Sequence, residues 1–247
     1  MKLNVFPAAL RERAQFTIVD EFASYTDTQL WTKSVTGGGT VAFAAGSNGG
    51  GAIAITTGAT LNDGGRLTLT NACIKLGKGQ PFYAESILQY TEASTNNAMI
   101  AFGLSSVVTS SLLTDSTGVP LNNFTGMLIY KQVGDTYWRC VSSNGTTQTL
   151  TQSALSSQPA TTTDFQLLRI EGRDVDGSNF EITYFLNDNP LTDYTYHRPI
   201  KHTVAIASAS AMKLIAMAKA GTTASEVLTV DQVIFLQRRA TPAAVAW

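Results

Sequence analysis

Phe165-Gln-Leu-Leu-Arg-Ile-Glu171 and Asn179-Phe-Glu-Ile-Thr-Tyr-Phe-Leu186 are two short runs of apolar and β-branched residues joined by Gly172-Arg-Asp-Val-Asp-Gly177-Ser178. Runs this short, bounded by glycine and aspartate, are strands, and the polar joint is a turn. The same rhythm continues towards the N-terminus. Phe16, Ile18 and the run to Phe22 alternate, as do Val41 and Phe43, Ile53 and Ile55, and Leu67 and Leu69. Period 2 puts one face in a core and the other in solvent. Phe82 to Tyr90, Ala98 to Leu104, Gly126 to Gln132 and Thr136 to Ser143 follow, the last two flanking the short hairpin connection Val133-Gly134-Asp135. Asn144-Gly145 is a strong turn signal. Towards the C-terminus, strands are expected over Thr203 to Ser208, Met212 to Lys219 and Val227 to Leu236. Ala205 to Ala220 is rich in helix formers, but Met212, Leu214, Ala216 and Ala218 alternate and every neighbour is β. Two strands are therefore expected there, and Thr146 to Thr163 is expected to be partly loop. A dozen or so short strands in succession predict an all-β fold, a two-sheet antiparallel sandwich of the jelly-roll kind.

The chain has 247 residues and carries no internal repeat or flexible linker. One sandwich domain is expected over residues 15 to 239, with an apolar N-terminal arm before it and an apolar tail from 240 to 247. Charged residues are only 14% and the net charge is -1, with no basic run, which excludes phosphate-driven nucleic-acid binding. A neutral, Thr/Ser/Asn/Gly-rich surface repels copies of itself weakly, so a homo-oligomer is expected. No stretch of about 20 apolar residues is present to cross a membrane. Pro7 and the charges after it break the first apolar stretch, which is unlike a signal peptide. The two cysteines, Cys73 and Cys140, are expected as buried thiols; they pair only if their Cα atoms lie within about 7 Å.

Catalytic and metal patterns are sparse. There is no C-x-x-C for zinc, and no G-x-S-x-G elbow accompanies His197 and His202. Gly49-Gly50-Gly51 lacks the pattern and the following helix of a nucleotide loop. Asp174-Val-Asp176-Gly-Ser-Asn179 begins like a calcium loop, but Phe185 stands where the closing Glu belongs. No cofactor or metal is expected. Asp231 is expected to serve structure.

Met127-Leu-Ile-Tyr130, Tyr137-Trp138-Arg-Cys-Val141, Leu168-Arg-Ile170, Phe180 to Leu186 with Asn187-Asp-Asn-Pro-Leu191, and Val227 to Ile234 form an ordered series. It resembles the concanavalin A-like jelly rolls of laminin-G and glucanase type, over about residues 80 to 238. Three positions depart from that pattern. Phe165 stands where Trp is common, Asn187-Asp188-Asn189 replaces an Asp-Gly turn, and Gln232 replaces an aromatic after Asp231. Glucanases of this fold carry paired carboxylates as Glu-x-Asp-x-x-Glu, a motif this sequence lacks; Glu85 and Glu181 stand alone.

The whole chain also resembles tailed-phage virion surface proteins built on this jelly roll. That resemblance implies a non-enzymatic capsid decoration protein, located in the virion and bound to a major capsid protein. Leu3, Val5 and Phe6 of the arm and Trp247 of the tail would make the contacts. The alternative is a carbohydrate-binding module contacting host glycans through Trp138, Tyr194 and Tyr196 on an aromatic-lined face. A glucanase-type glycosidase is the third reading.

Overall fold

The computed structural model describes residues 15–23, 29–46, 50–156, 164–205 and 210–238. The first strands are β1 (Gln15–Asp20), β2 (Trp31–Thr36), β3 (Thr40–Ala45), β4 (Gly51–Thr56) and β5 (Gly64–Leu69). Then come β6 (Phe82–Thr91), β7 (Ala98–Ser105), β8 (Thr125–Lys131), β9 (Tyr137–Asn144) and β10 (Gln148–Ser156). The last are β11 (Gln166–Asp174), β12 (Asn179–Leu186), β13 (Asn189–Pro190), β14 (Lys201–Ala205), β15 (Lys213–Ala220) and β16 (Val227–Arg238). All pairings are antiparallel. Sheet A runs β13-β12-β11-β6-β16-β4-β3, with β14 beside β12 and β1 beside β16; sheet B runs β10-β9-β8-β7-β15-β5-β2.

The two sheets face each other across one apolar core. Ile53, Ile55, Leu88, Phe102, Met127, Ile129, Trp138, Leu168, Ile170, Phe180, Ile182, Leu228 and Phe235 are all buried in it. β12 alternates as period 2 requires: its buried residues are Phe180, Ile182, Tyr184 and Leu186, with half-buried residues between. Lys213–Ala220 is a strand, as the alternation from Met212 predicts, so packing overrides its helix propensity.

Local chemistry explains the joints. Asn187 (φ 49°) and Asp188 (φ 65°) are both left-handed and close the pairing of Leu186 with Asn189. A tight hairpin turn needs positive φ at two positions, and Asn and Asp are the non-glycine residues that bear it best. Their substitution for Asp-Gly therefore keeps the turn. Asp174 accepts the N–H groups of Gly79 and Gly177, both at 2.6 Å. Asp176 accepts those of Ser178 and Asn179 at 2.8 and 2.7 Å. The backbone bonds hold the Asp174 carboxyl below the usual carboxylate range, and the Asn179 side-chain amide (2.9 Å), then the backbone bonds, do the same for Asp176. The segment is a hairpin turn, and among the described residues no group of three His, Cys, Asp or Glu side chains is placed to hold a metal.

Asp231 sits at a register shift in β16, between Val230, which pairs with β4, and Val233, which pairs with β1. The strand changes partner at this bulge, the structural place expected for Asp231. Gln15 pairs with Arg238, so the first and last described residues lie side by side.

Three strands were not anticipated: β2, β10 and the two-residue β13. β2 and β10 are polar, and β10 falls inside the tract expected to be partly loop. The cysteines also differ from expectation. Cys140 is buried in β9, whereas Cys73 is exposed after β5, and no disulfide joins them.

Candidate functional site

Sheet B has a second side. The alternation that sends Trp138 and Cys140 inward sends Tyr137, Arg139 and Val141 outward. At the centre of the sheet, the outward residues Met99, Ala101, Leu128, Tyr130, Val141, Ile215 and Met217 form a second apolar cluster. They are covered by Ser106 to Phe124, the connection between β7 and β8, which brings Leu112, Leu113 and Phe124 down onto them. Val107 and Val108 pack at the margin.

This cover is tied down across the face. Ser116 donates its N–H to Asn62 Oδ1 at 2.9 Å on one side, and Gln148 Nε2 donates to the carbonyl of Leu121 at 2.7 Å on the other. Beneath it Lys219, 2% exposed, donates to the carbonyls of Leu113 (3.0 Å) and Ser110 (3.4 Å) and pairs with the Asp115 carboxylate. A buried ammonium is tolerated only where its donors are met, and here the cover meets them.

Past the cover, at the β9–β10 edge, the face is open. The Tyr137 and Tyr194 rings meet edge to face, 5.4 Å apart at 68°. Tyr194 is 53% exposed and Tyr196 74%. Beside them Arg139 Nη2 donates to Gln152 Oε1 at 3.1 Å and Nε bonds the Asp135 carboxylate. Leu150 is exposed on the same side of β10, opposite Val141.

The tyrosine loop is closed on its own aspartate. Its N–H groups at Thr195 (3.1 Å), Tyr196 (2.6 Å) and Arg198 (3.0 Å) all converge on the Asp193 carboxylate. They hold that carboxyl below its usual range. His197 takes the left-handed turn of the loop (φ 54°). Tyr194 N–H then bonds the Gln152 carbonyl at 3.0 Å and Ala154 N–H the Thr192 carbonyl at 2.7 Å, stitching the loop to the edge strand.

Of the expected glycan contacts, Tyr194 and Tyr196 are exposed at this edge, and Trp138 is not. Trp138 is fully buried, its indole N–H on Gln166 Oε1 at 3.2 Å and its ring edge-on to Tyr90. It holds the core and is corrected to a structural residue. Tyr137, Arg139 and Gln152 stand at the edge instead. Leu3, Val5, Phe6 and Trp247 lie outside the described residues. His202 is buried, between Thr151 Oγ1 (2.9 Å from Nε2) and the Tyr184 hydroxyl (3.2 Å from Nδ1).

Glu85 and Glu181, which stand alone in the sequence pattern, lie on the other sheet. Glu85 is buried on the outer side of sheet A, accepts from the Tyr83 hydroxyl, and is pushed up by burial. Arg169, in the neighbouring strand position, pairs with Glu171 and Asp188 and lies 4.1 Å over the Phe185 ring. Glu181 pairs with Arg173 and Lys201.

No protein-family model and no curated protein matches the sequence. Solved structures match over most of the chain. The metal-free carbohydrate recognition domain of Emp46p superposes with a TM-score of 0.57 at 13% identity, covering 87% of this chain and 94% of that one. An endo-1,3-β-glucanase from Streptomyces sioyaensis gives 0.57 at 12%, covering 97% and 100%. An endo-β-1,4-glucuronan lyase from Trichoderma reesei gives 0.56 at 12%, covering 90% and 95%. These likenesses show the fold: a concanavalin A-like jelly roll of the lectin and glucanase type.

Proposed function

We propose that this protein is a non-catalytic carbohydrate-binding jelly roll whose sugar site is the Tyr137–Tyr194 edge of sheet B. The observation that carries the proposal is the exposed Tyr194 ring, set edge to face on the half-buried Tyr137 beside the Asp135–Arg139–Gln152 ladder. Tyrosine rings offer an apolar face to sugar C–H groups with little entropy to lose, and their hydroxyls stay wet. The guanidinium and carboxamide beside them supply donors and an acceptor for sugar hydroxyls. A few placed polar groups around apolar surface is the usual make-up of a small-ligand site.

The carboxylates of this edge favour binding without cleavage. Glycoside hydrolysis needs two carboxyls flanking the bond, one of them a general acid. The edge holds Asp135, tied to Arg139, and Asp193, which accepts three N–H groups that favour its ionised form. Asp193 is therefore not placed to give up a proton to a leaving group. The expectation of a capsid decoration protein rests on its sequence resemblance and on terminal residues outside the described ones, so it stays the second reading.

A glycan array probed with the wild type and with Tyr194→Ala tests the proposal. The wild type is expected to bind a defined set of neutral oligosaccharides, and the variant to lose roughly tenfold or more in affinity. A wild type that binds no glycan, or a variant that binds as the wild type does, contradicts it.

A further inference from the structure

On the far side of the cover, β5 and β2 form a small cleft lined by Thr36, Asn62, Arg66, Ser110, Met217 and Lys219. Arg66 points out of sheet B here, between Ser34 of β2 and Met217 of β15 in register. Its Nε is closed off from solvent and has no hydrogen-bond partner among the described residues. No ion pair among those residues includes Arg66. The other cation of the cleft, Lys219, is already neutralised by Asp115.

A guanidinium half removed from water without a counter-charge is unfavourable, and burial pulls its pKa below the ordinary arginine value. What surrounds it is rich in donors. Asn62 Oδ1 is occupied by Ser116 N–H, which turns its amide nitrogen into the free end. Thr36 and Ser110 bring hydroxyls. The missing partner is therefore negative and made of acceptors. A planar carboxylate matches the fork of a guanidinium through two parallel N–H···O bonds, which a neutral group does less well.

We propose that this cleft binds a carboxylate group, clamped by Arg66 and supported by Asn62, Thr36 and Ser110. The site is four strands from β9 in sheet B, roughly 19 Å away at the usual strand spacing, and does not depend on the sugar reading.

The test is an amide shift titration of the whole protein with sodium acetate, sodium glucuronate, sodium sulfate and glucose. Acetate and glucuronate are expected to give saturable shifts at Thr36, Asn62, Gly64 and Ser110. A tighter fit for glucuronate marks a carboxylated sugar as the source, and equal fits mark a free small acid. Arg66→Gln is expected to weaken both at least ~tenfold, as loss of charge-assisted hydrogen bonds demands. Should Arg66→Gln fail to fold, Thr36→Val, which keeps the charge, is expected to weaken binding several-fold. No shift at these amides with acetate or glucuronate, sulfate binding as tightly as acetate, or Arg66→Gln binding unchanged would each overturn the proposal. Tyr194→Ala leaves this titration unchanged, so its outcome is separate from that of the glycan array.

Discussion

The centre and the β9–β10 edge of sheet B's outer side start from the same alternation and end in opposite states. At the centre, Leu128, Tyr130, Ile215 and Met217 are sealed under Leu112, Leu113 and Phe124. At the edge, half-buried Tyr137 touches Tyr194, which faces solvent. The difference lies in what the neighbouring connection supplies. The Ser106–Phe124 connection brings apolar side chains and carbonyls that satisfy a buried lysine. The loop after β13 brings an aspartate that consumes its own N–H groups and leaves its rings outside. An outward strand position thus serves stability or recognition according to what lies above it.

That contrast breaks most easily at the centre. Leu128→Ala removes a fully buried side chain from the covered cluster and is expected to cost about 3 kcal/mol in chemical denaturation. A cost below about 1 kcal/mol would mean the cover packs loosely.

The inner core supplies a pH arm of similar size. Burial holds His202 neutral, with its pKa pulled from 6.5 to about 4. The unfolded chain takes up that proton near its ordinary pKa and the folded chain only near 4. The stabilisation is therefore whole above pH 6.5 and is lost as pH falls towards 4. The loss amounts to about 3 kcal/mol. His202→Gln, which does not titrate, is expected to lose less between about pH 7.5 and about pH 4.5 in urea melts. Parallel losses in the two proteins would contradict this assignment.

Lys219→Met keeps the stem and removes the ammonium that pins the cover. It is expected to cost about 2 kcal/mol, since the bonds lost are charge-assisted. Hydrogen exchange is expected to quicken at Leu112, Gly118 and Leu121, whose N–H groups close the cover on itself. Exchange that quickens instead over β9 and β10 would mean the lysine holds the edge as well.

The edge should show the smallest effect on stability. Tyr194→Ala changes a side chain that is 53% exposed and is expected to shift stability by less than about 0.5 kcal/mol. A larger cost would make the tyrosine pair a packing device.

Much of this arrangement was legible in the sequence, and the exceptions have physical causes. Alternating strands such as β4, β12 and β16 announced themselves because one side of each is apolar. β10 did not, because its inward Ser153 is polar and its outward Leu150 is exposed. The cover was invisible because Leu112 and Leu113 lie in a short 3-10 turn and a loop without periodicity. Trp138 and Tyr137 mark the finest limit. Successive residues of a strand face opposite ways, and alternation alone does not say which side is the core. The more conspicuous aromatic of the pair belongs to the core, and its quieter neighbour belongs to the site. Tyr194 and Tyr196 stood out as a loop aromatic cluster, but a loop has no alternation to tell whether its rings anchor it or stay outside.

The central claim is that recognition belongs to the β9–β10 edge. Amide shift mapping of the wild-type protein with the tightest-binding glycan from the array tests it most directly. The expected result is saturable shifts confined to Tyr137 to Arg139, Gln152 and Asp193 to Arg198, with Leu112 to Phe124 unmoved. Shifts centred on the cover or on the outer side of sheet A would contradict it.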